Sequence, residues 1–272
     1  MKLDFTGTLL VSDIDGTMIT RDFKLPELNK KALERYRAAG GKFTVATGRS
    51  MVSARRYYDM LETDMPAIVF NGAGLYDYHA EKFLWRRELS RDTKLLCREL
   101  LAACPDVGME IHSGAELFVI NDHKRVRDHV GAEKLPHRAA GLDEVMGKSW
   151  NKVLFPSEHE ELLRLEAIYK EKRHANSYVV LSSPIYLELL PSGVNKGEAL
   201  RQLAEAYDID MKNTYAIGDF SNDIEMIKAA GIGAAPEGAP PEVKNAADYI
   251  AAPCEDGAVG DFIAYLEKSL TE

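Results

Sequence analysis

Two aspartates stand two residues apart in Val11-Ser12-Asp13-Ile14-Asp15-Gly16-Thr17, directly after the apolar run Leu9–Ser12. In extended backbone, residues i and i+2 project to the same side, so both carboxylates can address one reacting centre. Gly16 lets backbone N–H groups approach an anion closely. The plainer reading of this heptad is an acidic loop or an Asp helix cap. A second acidic group, Ile217-Gly218-Asp219-Phe220-Ser221-Asn222-Asp223, follows another apolar run. Its Asp219 and Asp223 offer clustered carboxylate oxygens of the kind that suit a hard cation such as Mg2+. Acidic capping is again the alternative. Ala46-Thr47-Gly48-Arg49 places a hydroxyl and a glycine where a strand passes into a helix, which makes either a phosphate seat or an ordinary threonine cap. Lys196 opens a helix, where the helix dipole disfavours a cation. A bound anion would resolve that conflict, and a solvated lysine is the other possibility.

Charge ties these segments together. Asp13, Asp15, Asp219 and Asp223 in one cleft would repel one another strongly if nothing else entered it. A divalent cation and Lys196 leave a single negative charge, and one proton on a carboxylate removes that, so the cleft becomes neutral and ready for a phosphate. This requires four distant segments to converge, each at the end of a strand.

The pattern of elements predicts that convergence. Leu9–Ser12, Phe43–Ala46 and Ala67–Phe70 are short apolar runs. Between them lie a helix with Pro26 in its first turn, carrying Leu28, Ala32, Leu33 and Tyr36 on one stripe, and a helix over Met51–Leu61. Buried strands separated by helices imply an α/β fold with a parallel sheet covered on its faces. The rhythm changes after Asn71-Gly72. Gly74–Tyr78 and Phe83–Glu88 read as a hairpin, Thr93–Ala103 as a helix, and Glu110–His112 and Glu116–Ile120 as strands. Asn121–Gly147 is polar and takes no assignment, while Trp150–Phe155, Tyr178–Ser182 and Tyr186–Leu190 read as strands and Glu158–Lys172 as a helix. The alternation resumes with a helix over Lys196–Tyr207, a strand over Thr214–Ile217 and a helix over Asp223–Ala230. Strands over Ile232–Ala235 and Tyr249–Ala252 and a terminal helix from Ala258 complete it. The expected division is a discontinuous core, 1–82 and 185–272, with an α+β insertion over 83–184.

Composition narrows the function. The 272 residues carry a net charge of −9 and are 46% hydrophobic, too apolar for disorder and too acidic for a phosphate-backbone partner, so nucleic acid is not expected. Apolar runs are strand-sized, short of a membrane span, and polar residues follow Met1 too soon for a secretory signal. Cys97, Cys104 and Cys254 are too few and scattered for a disulfide framework or zinc site, which points to a reducing, cytoplasmic setting. The seven histidines show no metal-ligand spacing.

Asp13-x-Asp15-Gly16-Thr17, Thr47-Gly48-Arg49, Lys196 and Gly218-Asp219-x-x-Asn222-Asp223 resemble, in order, the four motifs of the haloacid dehalogenase superfamily. The insertion, with Asn71-Gly72-Ala73 just before it, resembles the C2B-capped Cof-type phosphatases. The resemblance covers essentially the whole chain; Ala235–Pro241 is richer in proline than the family pattern. It implies a Rossmann-like parallel-sheet core with a C2B cap. The implied activity is Mg2+-dependent hydrolysis of small phosphorylated metabolites, such as sugar phosphates. It further implies that Asp13 is the nucleophile and Asp15 the acid and then the base. Mg2+ would sit among the Asp13 carboxylate, the Asp15 carbonyl and Asp219, with Asp223 in support. Thr47 and Lys196 would hold phosphoryl oxygens beside Gly16 and Gly48, with Asn222 assisting. Arg49 and Lys152 are candidate substrate contacts. Asp15 must be partly protonated near neutral pH to act as an acid, and its negative neighbours favour that. The expected partner is a small phosphate ester, with neither nucleic acid nor membrane, and the protein is expected as a monomer or homodimer. A phosphomutase on the same scaffold is the nearest alternative. A receiver-type signalling module would be about half this size, lack the large insertion and need no second carboxylate at Asp15, and a non-catalytic sensor would tolerate the loss of Asp15.

Overall fold

The computed structural model describes residues 3–172 and 176–269. His174 lies outside the described residues. The chain divides into two compact units. The first comprises the chain up to Gly48, Ala54–Leu84 and the chain from Asn195, and the second comprises Arg49–Ser53 and Trp85–Val194.

In chain order the elements are β1 (Leu9–Ser12), α1 (Glu27–Ala38), β2 (Lys42–Val45), α2 (Met51–Met60), β3 (Ala67–Val69), β4 (Gly74–Asp77) and β5 (Lys82–Arg86). Then come α3 (Arg91–Ala103), β6 (Glu110–Ser113), β7 (Glu116–Val119), α4 (Lys124–Ala132), β8 (Arg138–Ala139), α5 (Leu142–Val145), β9 (Lys152–Pro156), α6 (His159–Glu171), β10 (Ser177–Ser183) and β11 (Tyr186–Pro191). The last are α7 (Lys196–Ala206), β12 (Thr214–Ile217), α8 (Ile224–Ala229), β13 (Ile232–Pro236), α9 (Pro241–Lys244), β14 (Tyr249–Ala251) and α10 (Ala258–Ser269).

The first unit is built on a parallel sheet of order β14-β13-β12-β1-β2. Leu9, Leu10, Val11 and Ser12 are all fully buried, as a central strand covered on both faces requires. β1 lies between β12 and β2, so the chain leaves the sheet on either side of β1, and loops after adjacent strands diverge around a crevice at their carboxyl ends. Ala67–Phe70 does not extend this sheet as a regular strand. It ends at Val69, touches β2 through one Ala46–Ile68 bridge, and pairs antiparallel with β4 in a separate sheet of order β3-β4-β5. The second unit carries a sheet of order β10-β11-β9-β6-β7-β8, whose pairings are antiparallel except β7–β8. Ile111, Val153, Leu187 and Leu189 alternate inward there, joining Leu96, Leu100, Leu162 and Leu165 of α3 and α6 in one core.

Ala32, Leu33 and Tyr36 of the expected α1 stripe are buried, and only its first position differs. Asn29 is fully buried and Leu28 is 44% exposed, and Pro26 is the residue before the helix rather than inside it. Burial suits Asn29 because its amide is satisfied twice: Nδ2 donates to the Met18 carbonyl (3.0 Å), and Oδ1 accepts from the Gly260 N–H (2.8 Å). Asn29→Ala removes both partners at once. We expect it to lower the unfolding free energy by about 2 kcal/mol, read as an earlier urea midpoint at unchanged slope.

Candidate active site

Register places the first two motifs side by side. Ser12 pairs with Ile217, and the Asp13 N–H still donates to the Ile217 carbonyl (2.9 Å), so Asp13 and Gly218-Asp219 leave the sheet together. Asp13 is buried and Asp15 is exposed. Gly16 has φ +87°, and a Cβ there would lie 2.5 Å from Asp219 Oδ2, so only glycine lets the first loop touch the second carboxylate. Thr17, which the motif reading left without a role, donates its hydroxyl to Asp219 Oδ1 (3.0 Å) and orients that carboxylate.

Lys196 is the first residue of α7. Asn195 caps the helix, its side chain accepting from the Glu198 N–H (2.7 Å). The lysine is fully buried, and its Nζ lies 2.6 Å from both Asp13 Oδ1 and Asp223 Oδ1. The conflict with the helix dipole is therefore met by two carboxylates of the protein itself. Asp223 is held in turn by the Phe220 N–H, which donates to its Oδ2 (3.1 Å) and closes the loop after β12. Asp13, Asp219 and Asp223 each bring one oxygen within 4.8 Å of the others. These hard oxygen donors suit a divalent cation, with Asp13 and Asp219 the best placed, because both Asp223 oxygens already have partners.

The threonine motif differs from its sequence reading. α2 begins at Met51, and Ser50 takes the capping role by accepting from the Ser53 N–H (3.2 Å), so Thr47 caps no helix. The Thr47 N–H donates to the Ile68 carbonyl (2.9 Å) and does not point at an anion. Buried Thr47 and half-buried Gly48 instead meet Asn71, whose N–H donates to the Thr47 carbonyl (3.0 Å). Asn222 also reaches Asn71, its Nδ2 donating to Asn71 Oδ1 (2.9 Å). Asn71 thus links two motif segments, a role that the resemblance, which noted only the Asn71-Gly72-Ala73 run before the insertion, did not give it. Arg49 and Lys152 fall in the second unit. Arg49 bonds Ser53 Oγ (2.9 Å) and pairs with Glu133. Lys152 lies 3.1 Å from Glu188, on the sheet face that also carries Glu110 and His112, all four buried.

Burial dominates the electrostatics. It lifts Asp13 well above the usual carboxylate range; Lys196 pulls it back, while Asp223, Asp219 and Asp15 raise it further. Burial and the charge on Asp223 push Asp219 up to about 7, against the Thr17 hydrogen bond and Lys196. Burial alone would strip Lys196 of its proton, but the two carboxylates hold it above the ordinary lysine range. A carboxyl with a raised folded pKa stabilises the fold by binding a proton, and this contribution fades as pH rises from about 4 to 7. A cation competes with that proton for Asp219. The gain in Tm on adding Mg2+ is therefore expected to grow from about pH 5 to about pH 8 as Asp219, and Asp13 beside it, give up their protons. His112, held neutral by burial and by Lys152 and His129, titrates alike with and without cation and cancels from the difference. A gain independent of pH would place the cation elsewhere.

The comparisons with known proteins agree with this geometry. Residues 10–263 match the family model of haloacid dehalogenase-like hydrolases. The chain is similar to pyridoxal phosphate phosphatase YbhA of Escherichia coli, with 29% identity over 95% of this chain and 98% of that one. It is also similar to the HMP-PP phosphatase of Cronobacter sakazakii, with 26% identity over 81% of this chain and 80% of that one. A haloacid dehalogenase-like hydrolase from Bacteroides thetaiotaomicron superposes with a TM-score of 0.86 at 25% identity, covering 95% of this chain and 99% of that one. The HAD subclass IIB sugar phosphatase BT4131 shares the fold, with a TM-score of 0.83 at 21% identity over 95% and 98% of the two chains. Among the described residues no helix is long and apolar enough to cross a membrane. With its motifs gathered at the carboxyl ends of one parallel sheet, the chain belongs to the haloacid dehalogenase-like hydrolases and is a phosphatase of that family.

Proposed function

We propose that the protein is a Mg2+-dependent phosphatase of small phosphorylated metabolites, sugar phosphates among them, working through a phospho-aspartate at Asp13. The observation that carries this reading is the buried Lys196 ammonium held between Asp13 and Asp223, with Asp219 alongside. Asp13 and Asp219, with the Asp15 carbonyl, would hold the cation. Bound there, Mg2+ supplies positive charge against the phosphoryl oxygens and lets two anions meet.

The residues of the chain then divide the work. Lys196 fixes Asp13 Oδ1, which leaves the other carboxylate oxygen to attack phosphorus as the ester P–O bond breaks. Asp15, exposed at the end of its loop, is reachable by the leaving oxygen and gives it a proton. In the second step Asp15 takes a proton from water as that water attacks phosphorus. The bond from phosphorus to Asp13 breaks, inorganic phosphate leaves and the Asp13 carboxylate is restored. Thr47 and Asn222 hold phosphoryl oxygens beside Gly16 and Gly48. The second unit, Arg49–Ser53 with Trp85–Val194 where the expected bounds were 83–184, would act as a specificity cap and select the leaving group. Its Lys152, Glu188, His112 and Glu110 offer both donors and acceptors to a hydroxylated metabolite, and Arg49 adds a cation. The names of the relatives favour small substrates, since those proteins are called phosphatases of pyridoxal phosphate and HMP-PP. Three free, buried cysteines fit a cytoplasmic setting.

Asp13→Asn keeps the shape of the side chain and removes the nucleophile. It is expected to cut hydrolysis of p-nitrophenyl phosphate with Mg2+ by on the order of a thousandfold or more, with the circular dichroism spectrum unchanged. Undiminished turnover would overturn the assignment of Asp13. Stoichiometric release of inorganic phosphate from hexose phosphates, measured alongside, distinguishes hydrolysis from transfer back to a sugar.

A further inference from the structure

Three consecutive residues, Phe70, Asn71 and Gly72, have φ of 54°, 52° and 93°. Two non-glycine residues in the left-handed region in succession are uncommon, and such conformations persist where the surroundings over-determine them. Here the surroundings come from three of the four motif segments. The Asn71 N–H donates to the Thr47 carbonyl (3.0 Å), and the Asn71 amide packs against Gly48, where a Cβ would come within 3.1 Å. Asn71 Oδ1 accepts from Asn222 Nδ2 (2.9 Å), across 151 residues of chain. Gly72 lies so close to the start of α7 that a Cβ would stand 2.2 Å from the Asn195 carbonyl oxygen and 2.9 Å from the Lys196 nitrogen. Asn71 itself is 2% exposed, so its amide is committed to these neighbours rather than to solvent.

We infer that the Phe70–Gly72 turn is a bracket that sets the phosphoryl-binding groups relative to one another, with Asn71 as the positioning residue for Asn222. A side-chain amide has two N–H groups on one nitrogen. By accepting one of them, Asn71 fixes the Asn222 amide plane and rotamer, so that the second N–H is aimed at a phosphoryl oxygen. The same turn seats the Thr47 backbone and sets how near α7, and therefore Lys196, approaches. The cation ligands Asp13 and Asp219 are outside this bracket, so phosphate binding and cation binding separate at Asn71. The inference rests on the phosphatase reading above, because it takes the group held by Thr47, Lys196 and Asn222 to be a phosphoryl group.

Glycine adopts a left-handed conformation more readily than asparagine, so Asn71→Gly removes the amide without straining the backbone. We expect N71G to bind inorganic phosphate, in the presence of Mg2+, roughly tenfold more weakly than the wild-type protein by titration calorimetry. Its Mg2+ affinity without phosphate should stay unchanged, and its Tm should fall no further than that of N222A, which breaks the same hydrogen bond. N222A should show a similar loss, and N71G/N222A should be no weaker than N222A within about twofold, because the two residues act through one contact. Phosphate affinity of N71G equal to wild type would overturn the bracket. So would a double variant whose loss is the product of the two single losses, an equal fall in Mg2+ affinity, or a fall in the Tm of N71G well beyond that of N222A, which would make Asn71 a packing residue. Turnover of p-nitrophenyl phosphate by the wild-type protein is read separately. Phosphate binding without turnover counts against the phosphatase reading and leaves the comparison of N71G with N222A intact.

Discussion

The ammonium of Lys196, buried between Asp13 and Asp223, is the interaction around which the first unit is organised. A charge out of water is tolerated only when paired and hydrogen-bonded, and removing one partner of such a pair costs about 3–5 kcal/mol. The lysine therefore ties the end of β1, the start of α7 and the loop after β12 to one point. Neighbouring features follow from it. Asp223 needs the Phe220 N–H for its second oxygen, Asp219 needs Thr17, and Gly16 must lack a side chain for the two acidic loops to meet. Three carboxylates and one ammonium leave net negative charge, which adds to burial in displacing Asp13 and Asp219 upward. A divalent cation among these oxygens would offset that charge.

The sheet explains how such a cluster can be assembled from remote residues. β1 is paired on both sides, with β12 and β2, and its neighbours deliver their loops to the same edge. The second unit follows a different rule: its antiparallel sheet buries one face on α3 and α6 and keeps acidic, basic and imidazole groups at the alternate positions. One unit is organised by strand ends and the other by a strand face.

Much of this was legible in the sequence because the signals were local. Leu9–Ser12 and Thr214–Ile217 are apolar runs of strand length, each ending in an acidic turn, and a buried parallel strand leaves that signature. Other features depend on partners that no local pattern displays. Leu28 continued an apolar stripe, yet Asn29 took the buried place because Met18 and Gly260 satisfy its amide. α4 escaped notice because Lys124, Arg125, Arg127, Asp128 and His129 surround only two buried valines, Val126 and Val130. Thr47 looked like a cap, but Ser50 stands at the position that caps α2. Asn71 took no role from the run before the insertion, since its contacts lie with Thr47 and Asn222, at long range in the chain.

The order of strands has a bearing on synthesis. β12, which forms one of the two flanks of β1 and carries Asp219 behind it, is translated about two hundred residues after β1. Until then β1 presents an unpaired apolar edge, while Asp13 lacks both Lys196 and Asp219. Chains that stop short of β12 therefore leave one apolar edge of β1 unpaired, the kind of edge that invites aggregation.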